Sequence, residues 1–128
     1  EKLVVQFNLN SDLKLVAGIR EKRKDKIIKI ISSRIANYVR DLFLNDGCPD
    51  TGCGLKVFDK KIFLSFDFFN GIHRFLPALY LGFGYDVKYI KVNHRNREFG
   101  KSKYGTMMRL VDGIKHIFLV KKTISKNN

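Results

Sequence analysis

Acidic residues are scarce in this sequence. Twelve Asp and Glu stand against 25 Lys and Arg, a formal net charge of +13 over 128 residues. That excess carries a self-repulsion cost and points to an anionic partner: nucleic acid, a lipid surface or a phosphorylated substrate. Long hydrophobic runs are missing too, and none approaches the roughly 18 apolar residues of a membrane span. Two prolines, ten glycines and no repeat exclude collagen-like and solenoid architectures. The two cysteines, Cys48 and Cys53, are too few for a disulfide framework. With no visible secretion signal, they lead to the expectation of a reducing, cytosolic setting. What is present is globular: 45% hydrophobic and 29% charged residues exclude wholesale disorder. The length suits one domain, spanning 1–128.

The basic excess falls in two blocks. Residues 14–40 hold nine basic and two acidic side chains, and residues 91–126 hold ten and two. The aromatic-rich middle, 41–90, is nearly neutral. Two such blocks suit one anion held between them, although any single lysine is more simply a solvated side chain.

Hydrophobic periodicity gives a coarse order of elements. Leu13–Gly18 reads as a strand, with the charged stretch 19–26 as a loop. Ile27, Ile28, Ile31, Ile35, Val39 and Leu42 recur at helical spacing over about 26–43. The turn formers of 45–50 end that helix. Leu55–Phe58 reads as a strand and 60–66 as a helical turn. Ile72–Phe83 is helical, with Asn70 as its cap and Pro77 in its first turn. Tyr85–Asn93 is a third strand and 94–103 a basic loop. An amphipathic helix then starts near residue 104, and 125–128 form a polar tail. Strands alternate with helices, which is an α/β pattern. The opening, Lys2–Phe7, starts inside an apolar-patterned element, so the expectation is a larger domain continuing upstream.

Three segments carry more than composition: Asp50-Thr51-Gly52-Cys53-Gly54-Leu55-Lys56-Val57-Phe58, His73-Arg74-Phe75-Leu76-Pro77-Ala78-Leu79, and the run from His94 to Gly105 with Arg97, Gly100, Ser102 and Lys103. Val16-Ala17-Gly18-Ile19-Arg20 and Ser33-Arg34-Ile35-Ala36-Asn37 precede them. In this order and spacing they resemble the C-terminal half of family 2 glycosyltransferases. The subgroup loads a sugar onto a polyprenyl phosphate: dolichol-phosphate mannosyltransferase and its undecaprenyl-phosphate relatives. The resemblance covers residues 13–120. It implies a partial GT-A (Rossmann-like) fold, a mixed, mostly parallel sheet flanked by helices. The N-terminal nucleotide-binding half, with its metal-holding Asp-x-Asp motif, is not in this sequence. It also implies a nucleotide-sugar donor, a polyprenyl phosphate acceptor and inversion at the anomeric carbon. A divalent Mg or Mn would act in the complete enzyme, and work would proceed at the cytoplasmic face of a membrane.

The resemblance assigns roles residue by residue. Arg20, Lys29 and Ser33 would contact the acceptor phosphate, and Lys29 and Ser33, four apart, share a helix face. Asp50 would be the catalytic carboxylate near the sugar or leaving group. Gly52, His73 and Arg74 would line the sugar and acceptor cleft. Arg97, Ser102 and Lys103 would cradle the donor diphosphate. None of these residues forms a metal site. A zinc reading of Cys48 and Cys53 with His73 and His94 lacks structural spacing, and two buried thiols suit the sequence better. The chain by itself is expected to be inactive. Its strand at Leu13–Ala17 is expected to have lost a neighbour and to show an open edge that favours self-association. The competing readings are a nucleic-acid-binding module, disfavoured because no such motif appears, and a peripheral membrane module without catalysis.

Overall fold

The computed structural model describes residues 1–21, 27–93 and 106–127, with backbone alone for 28, 29 and 106–110. The order is α1 (Lys2–Leu9), β1 (Leu13–Glu21), α2 (Ile27–Leu44), β2 (Lys56–Phe58), α3 (Lys60–Ser65), a 3-10 turn (Ile72–Arg74), α4 (Leu76–Gly82), β3 (Asp86–Asn93) and α5 (Thr106–Asn127). The class is α/β, with a mixed three-stranded sheet of order β2-β1-β3 flanked by helices.

β1 lies in the centre because its apolar run suits burial on both faces. Leu15, Val16 and Ala17 are almost wholly buried. A continuous run of this kind marks a strand covered on both sides. Leu15 joins Phe66, Ile72, Phe75, Leu79, Tyr80, Ile117 and Val120 on the face under α4 and α5. Val16 joins Leu3 and Leu13 on the face under α1. Leu13 and Leu15 would share a face in a regular strand. A register shift between them against β3 separates them.

β3 runs parallel to β1 from Leu13↔Asp86 to Glu21↔Asn93, and β2 runs antiparallel to it from Leu15↔Phe58 to Ala17↔Lys56. The expected open edge on Leu13–Ala17 is therefore corrected: β1 is paired on both sides, and the free edges belong to β2 and β3. β2, reached only after α2, covers one side of β1, and β3 covers the other.

Local expectations also shift: β1 runs on through Glu21 where a loop was expected from residue 19, and the helix expected over 72–83 divides into the 3-10 turn and α4. Gly71, with φ +92°, precedes the 3-10 turn where Asn70 was expected to cap. That left-handed geometry favours glycine. Residues 125–127 are not a separate tail, since α5 runs through Asn127. Its end is held by packing: a Cβ at Gly82 would lie 2.5 Å from Ile124 Cδ1, so only glycine lets α5 close on α4. Pro77 sits at the start of α4 as expected. Asp59 caps α3 by accepting from Lys61 N (2.8 Å) and Ile62 N (3.1 Å). Among the described residues no helix is long and apolar enough to cross a membrane.

Candidate functional site at the end of the central strand

β1 ends in Gly18, Ile19 and Arg20, and the segment 45–54 folds over that end. Gly18 permits the approach, because a Cβ there would stand 3.2 Å from Cys53 Sγ and from Leu55 O. Gly18 N donates to Leu55 O at 2.8 Å. Asn45 and Gly47, both in the left-handed region, turn the chain out of α2.

The base of this segment is fixed to α2. Arg40 is buried, and its Nε and Nη2 donate to Asp46 Oδ2 (3.1 Å) and Oδ1 (2.9 Å). The same guanidinium donates to Cys48 O and to Asn37 Oδ1. Asn37 Nδ2 donates to Pro49 O at 2.7 Å, and Thr51 Oγ1 donates to Asn37 Oδ1 at 2.9 Å. Tyr89 on β3 donates to Asp46 O, and burial pushes its phenol well above the ordinary value. The Asp46 carboxylate and the Asp46, Cys48 and Pro49 carbonyls each gain a donor, which offsets the cost of desolvating them.

The tip carries the expected chemistry. Asp50 is buried and accepts from Arg20 Nε and Nη2, both at 2.7 Å, and from Arg20 N at 3.1 Å. This is a two-pronged, charge-assisted pair at a strand end, where ligands collect in α/β sheets. Gly52 lies directly against it: a Cβ there would stand 2.9 Å from Arg20 Nη2. Arg20, Asp50 and Gly52, assigned to different roles from the sequence, are thus one constellation.

Ser33 is half-buried on α2, one turn before Asn37, on the face that meets this segment. Lys29 lies a further turn back, and its side chain is outside the described residues. So are Arg97, Ser102, Lys103 and His94. His73 and Arg74 follow each other in the 3-10 turn, where successive side chains point about 120° apart. His73 feels the Lys56 ammonium. Partial desolvation, then Arg74, then Lys56 hold its imidazole below the ordinary value.

Lys56 is a site residue that sequence reasoning missed. It is half-buried on β2, and its Nζ donates to Cys53 O. Desolvation lowers its pKa, opposed by Cys48, Cys53 and Asp50 and assisted by Arg20. The signal was in the quoted motif, where a lysine follows the Gly-Cys-Gly turn into an apolar strand. Asn37 and Arg40 were also missed; on a helix wheel they look like ordinary solvated residues. Cys48 and Cys53 are buried and free, as expected, and burial raises the Cys48 thiol. Among the described residues no three His, Cys, Asp or Glu side chains gather as a metal would need. Asp50 is engaged by Arg20, so the residues of this site do not fit a divalent ion.

The fold and this site define an α/β domain with a cation at the C-terminal end of its central strand, braced by a buried carboxylate. Comparison with known proteins gives that class a family. The dodecaprenyl-phosphate galacturonate synthase of Rhizobium johnstonii is 34% identical over 97 residues, 73% of this chain and 29% of that protein. The undecaprenyl-phosphate 4-deoxy-4-formamido-L-arabinose transferase of Yersinia pestis is 30% identical over 98 residues, 77% of this chain and 30% of its own length. The Yersinia pseudotuberculosis protein of the same name matches equally. This chain spans under a third of the length of these relatives. No protein-family model and no solved structure matches it. The chain belongs to the family 2 glycosyltransferases.

Proposed function

We propose that this chain forms the acceptor side of an enzyme that transfers a sugar from a nucleotide-activated donor to a polyprenyl phosphate, with inversion. A phosphate oxygen of the lipid attacks the anomeric carbon, that carbon's bond to the diphosphate breaks, and a nucleoside diphosphate leaves. The phosphate is already anionic near neutral pH, so positioning and charge neutralisation are what the protein supplies. Arg20, with Lys29 and Ser33 on α2, receives the acceptor phosphate. Asp50 holds the Arg20 fork in place through two hydrogen bonds. Gly52, His73 and Arg74 belong to the cleft for the sugar and acceptor, and Arg97, Ser102 and Lys103 to the donor diphosphate. A divalent ion in the complete enzyme would take its ligands from outside the described residues of this chain.

The observation that carries this reading is the Arg20–Asp50 pair at the strand end, in a chain whose relatives are named for transfer to polyprenyl phosphates. In the complete enzyme, Arg20→Ala should raise the apparent constant for the polyprenyl phosphate at least tenfold, a loss of about 1.4 kcal/mol or more. The constant for the nucleotide sugar should move little. An effect confined to the nucleotide sugar would reverse the assignment of the two basic blocks.

Membrane contact suits the outer surface. Ile31, Ile35 and Leu42 on α2 and Ile114 and Phe118 on α5 are exposed, near Lys115 and Lys121. Apolar side chains beside lysines match the chemistry of an interface with anionic lipid.

A further inference from the structure

One side chain of α2 grips both chain neighbours of Asp50. The Asn37 amide nitrogen donates to Pro49 O at 2.7 Å, and its oxygen accepts from Thr51 Oγ1 at 2.9 Å. Pro49 and Thr51 flank Asp50 in the sequence. The same oxygen accepts from Arg40 Nη1 at 2.9 Å, and Arg40 is itself locked on Asp46 and the Cys48 carbonyl. The amide has only one workable orientation. Its oxygen faces two donors and its nitrogen a carbonyl, so turning it over would lose all three bonds.

Asp50 in turn sets the end of β1. β2 pairs with β1 only as far as Ala17↔Lys56. Beyond that pair, Gly18 N donates to Leu55 O at 2.8 Å, and two residues on Arg20 N donates to Asp50 Oδ2 at 3.1 Å. A side-chain carboxylate thus takes the place of a neighbouring strand. The same carboxylate orients the Arg20 guanidinium through the two bonds of 2.7 Å. Displacing residue 50 loosens one backbone bond and both prongs at once, because such bonds weaken steeply with distance and angle.

We infer that Asn37 is a positioning residue: by gripping residues 49 and 51 it fixes the Asp50 carboxylate, and through it the direction of the Arg20 fork. Its effect on the acceptor phosphate rests on the reading above, in which Arg20 receives that phosphate; its hold on the fork does not. Asn37 also joins the two sources of the proposed phosphate contacts. Ser33 lies one turn before it on α2, and Arg20 lies on β1. The bridge from Asn37 through residues 49–51 ties helix and strand end into one frame, which is what holding a phosphate in a fixed place requires.

Hydrogen exchange on the complete enzyme, resolved to single backbone amides, tests the positioning. In Asn37→Ala the Arg20 amide should exchange about tenfold faster, because its acceptor is no longer held, while Val16, buried within β1, stays within about twofold. Thr51→Val keeps the shape of the side chain and removes one of the two grips, so Arg20 should exchange about threefold faster. This variant carries the test if Asn37→Ala fails to fold. Tyr89→Phe removes a donor to Asp46 O at the base and should leave Arg20 within about twofold. Equal acceleration of Arg20 and Val16, or an Arg20 amide that Thr51→Val leaves unchanged, would overturn the inference. A second arm compares binding of farnesyl phosphate with binding of farnesol. Asn37→Ala should weaken the phosphate about tenfold and leave farnesol unchanged. Faster exchange at Arg20 alone, with farnesyl phosphate binding unchanged, would keep Asn37 as the residue that positions the fork and overturn the assignment of Arg20 to the acceptor phosphate.

Discussion

Two aspartate–arginine pairs grip the segment 45–54, and they differ in one respect. At the base, Arg40 and Asp46 have side chains only 5% and 0% exposed. At the tip, Asp50 is equally sealed at 5%, but Arg20 keeps 20% of its side chain open. Both pairs are two-pronged, at similar distances. The base pair also binds Asn37 and the Cys48 carbonyl, so its donors are spent on the protein. The same chemistry is thus sealed at the base and keeps an opening to solvent at the tip. A buried pair contributes little net stability while intact but much once half of it is removed.

The sharpest way to break that contrast is to delete one member of each pair. Arg40→Met leaves the Asp46 carboxylate buried without its counter-charge and should cost about 3–5 kcal/mol in urea unfolding followed by circular dichroism. Asp50→Asn keeps the shape of the tip and leaves Arg20 able to reach water, so it should cost only about 1–3 kcal/mol. Equal losses would show that the tip is as structural as the base. Gly52→Ala ranks below both. Its Cβ would meet the Arg20 guanidinium, the mobile end of a side chain, which can swing away. Stability should change by under about 1 kcal/mol. The Arg20 side-chain Nε resonance should nonetheless shift, because the fork can no longer lie flat against Asp50. An unchanged resonance would mean that Gly52 does not shape the fork.

Much of this arrangement was readable in the sequence, for reasons that also explain what was not. Apolar recurrence over 27–42 located α2 to within a residue or two, and the run at Leu13–Ala17 located the start of β1, which continues through Glu21 where a loop was expected. Periodicity does not say which face of a helix is covered. Ile31, Ile35 and Leu42 are more than half exposed, whereas Asn37 and Arg40 face the segment 45–51 and bond to it. The polar face is the one turned inward, because the backbone of that segment needs donors that apolar side chains cannot supply. Arg20 and Asp50 were each singled out, but a pairing 30 residues apart depends on how β2 returns along β1. β2 and β3 together pair both sides of β1, where one was expected to be open. His116 carried no signal of its own in the sequence, and only the fold sets its ring against Phe69 and Phe75.

The smallest expected effect separates tip from base by pH. His73 stands near Lys56, on the tip side, and its imidazole is held below the ordinary value of 6.5. Much of its side chain is exposed, so the effect on stability is modest. The sign follows from proton uptake. Above the ordinary histidine range both folded and unfolded chains carry it neutral, and it contributes no slope. As the pH falls through that range, the unfolded chain takes up a proton that the folded one resists, and stability declines. His73→Gln should remove this component. The stability difference between variant and parent should therefore grow in the variant's favour from pH 7.5 to 5. The same titration on an Arg40→Met background should give the same difference, since the charges that act on His73 are Arg74 and Lys56. A difference that stays flat with pH would mean that the cations around the tip do not act on His73.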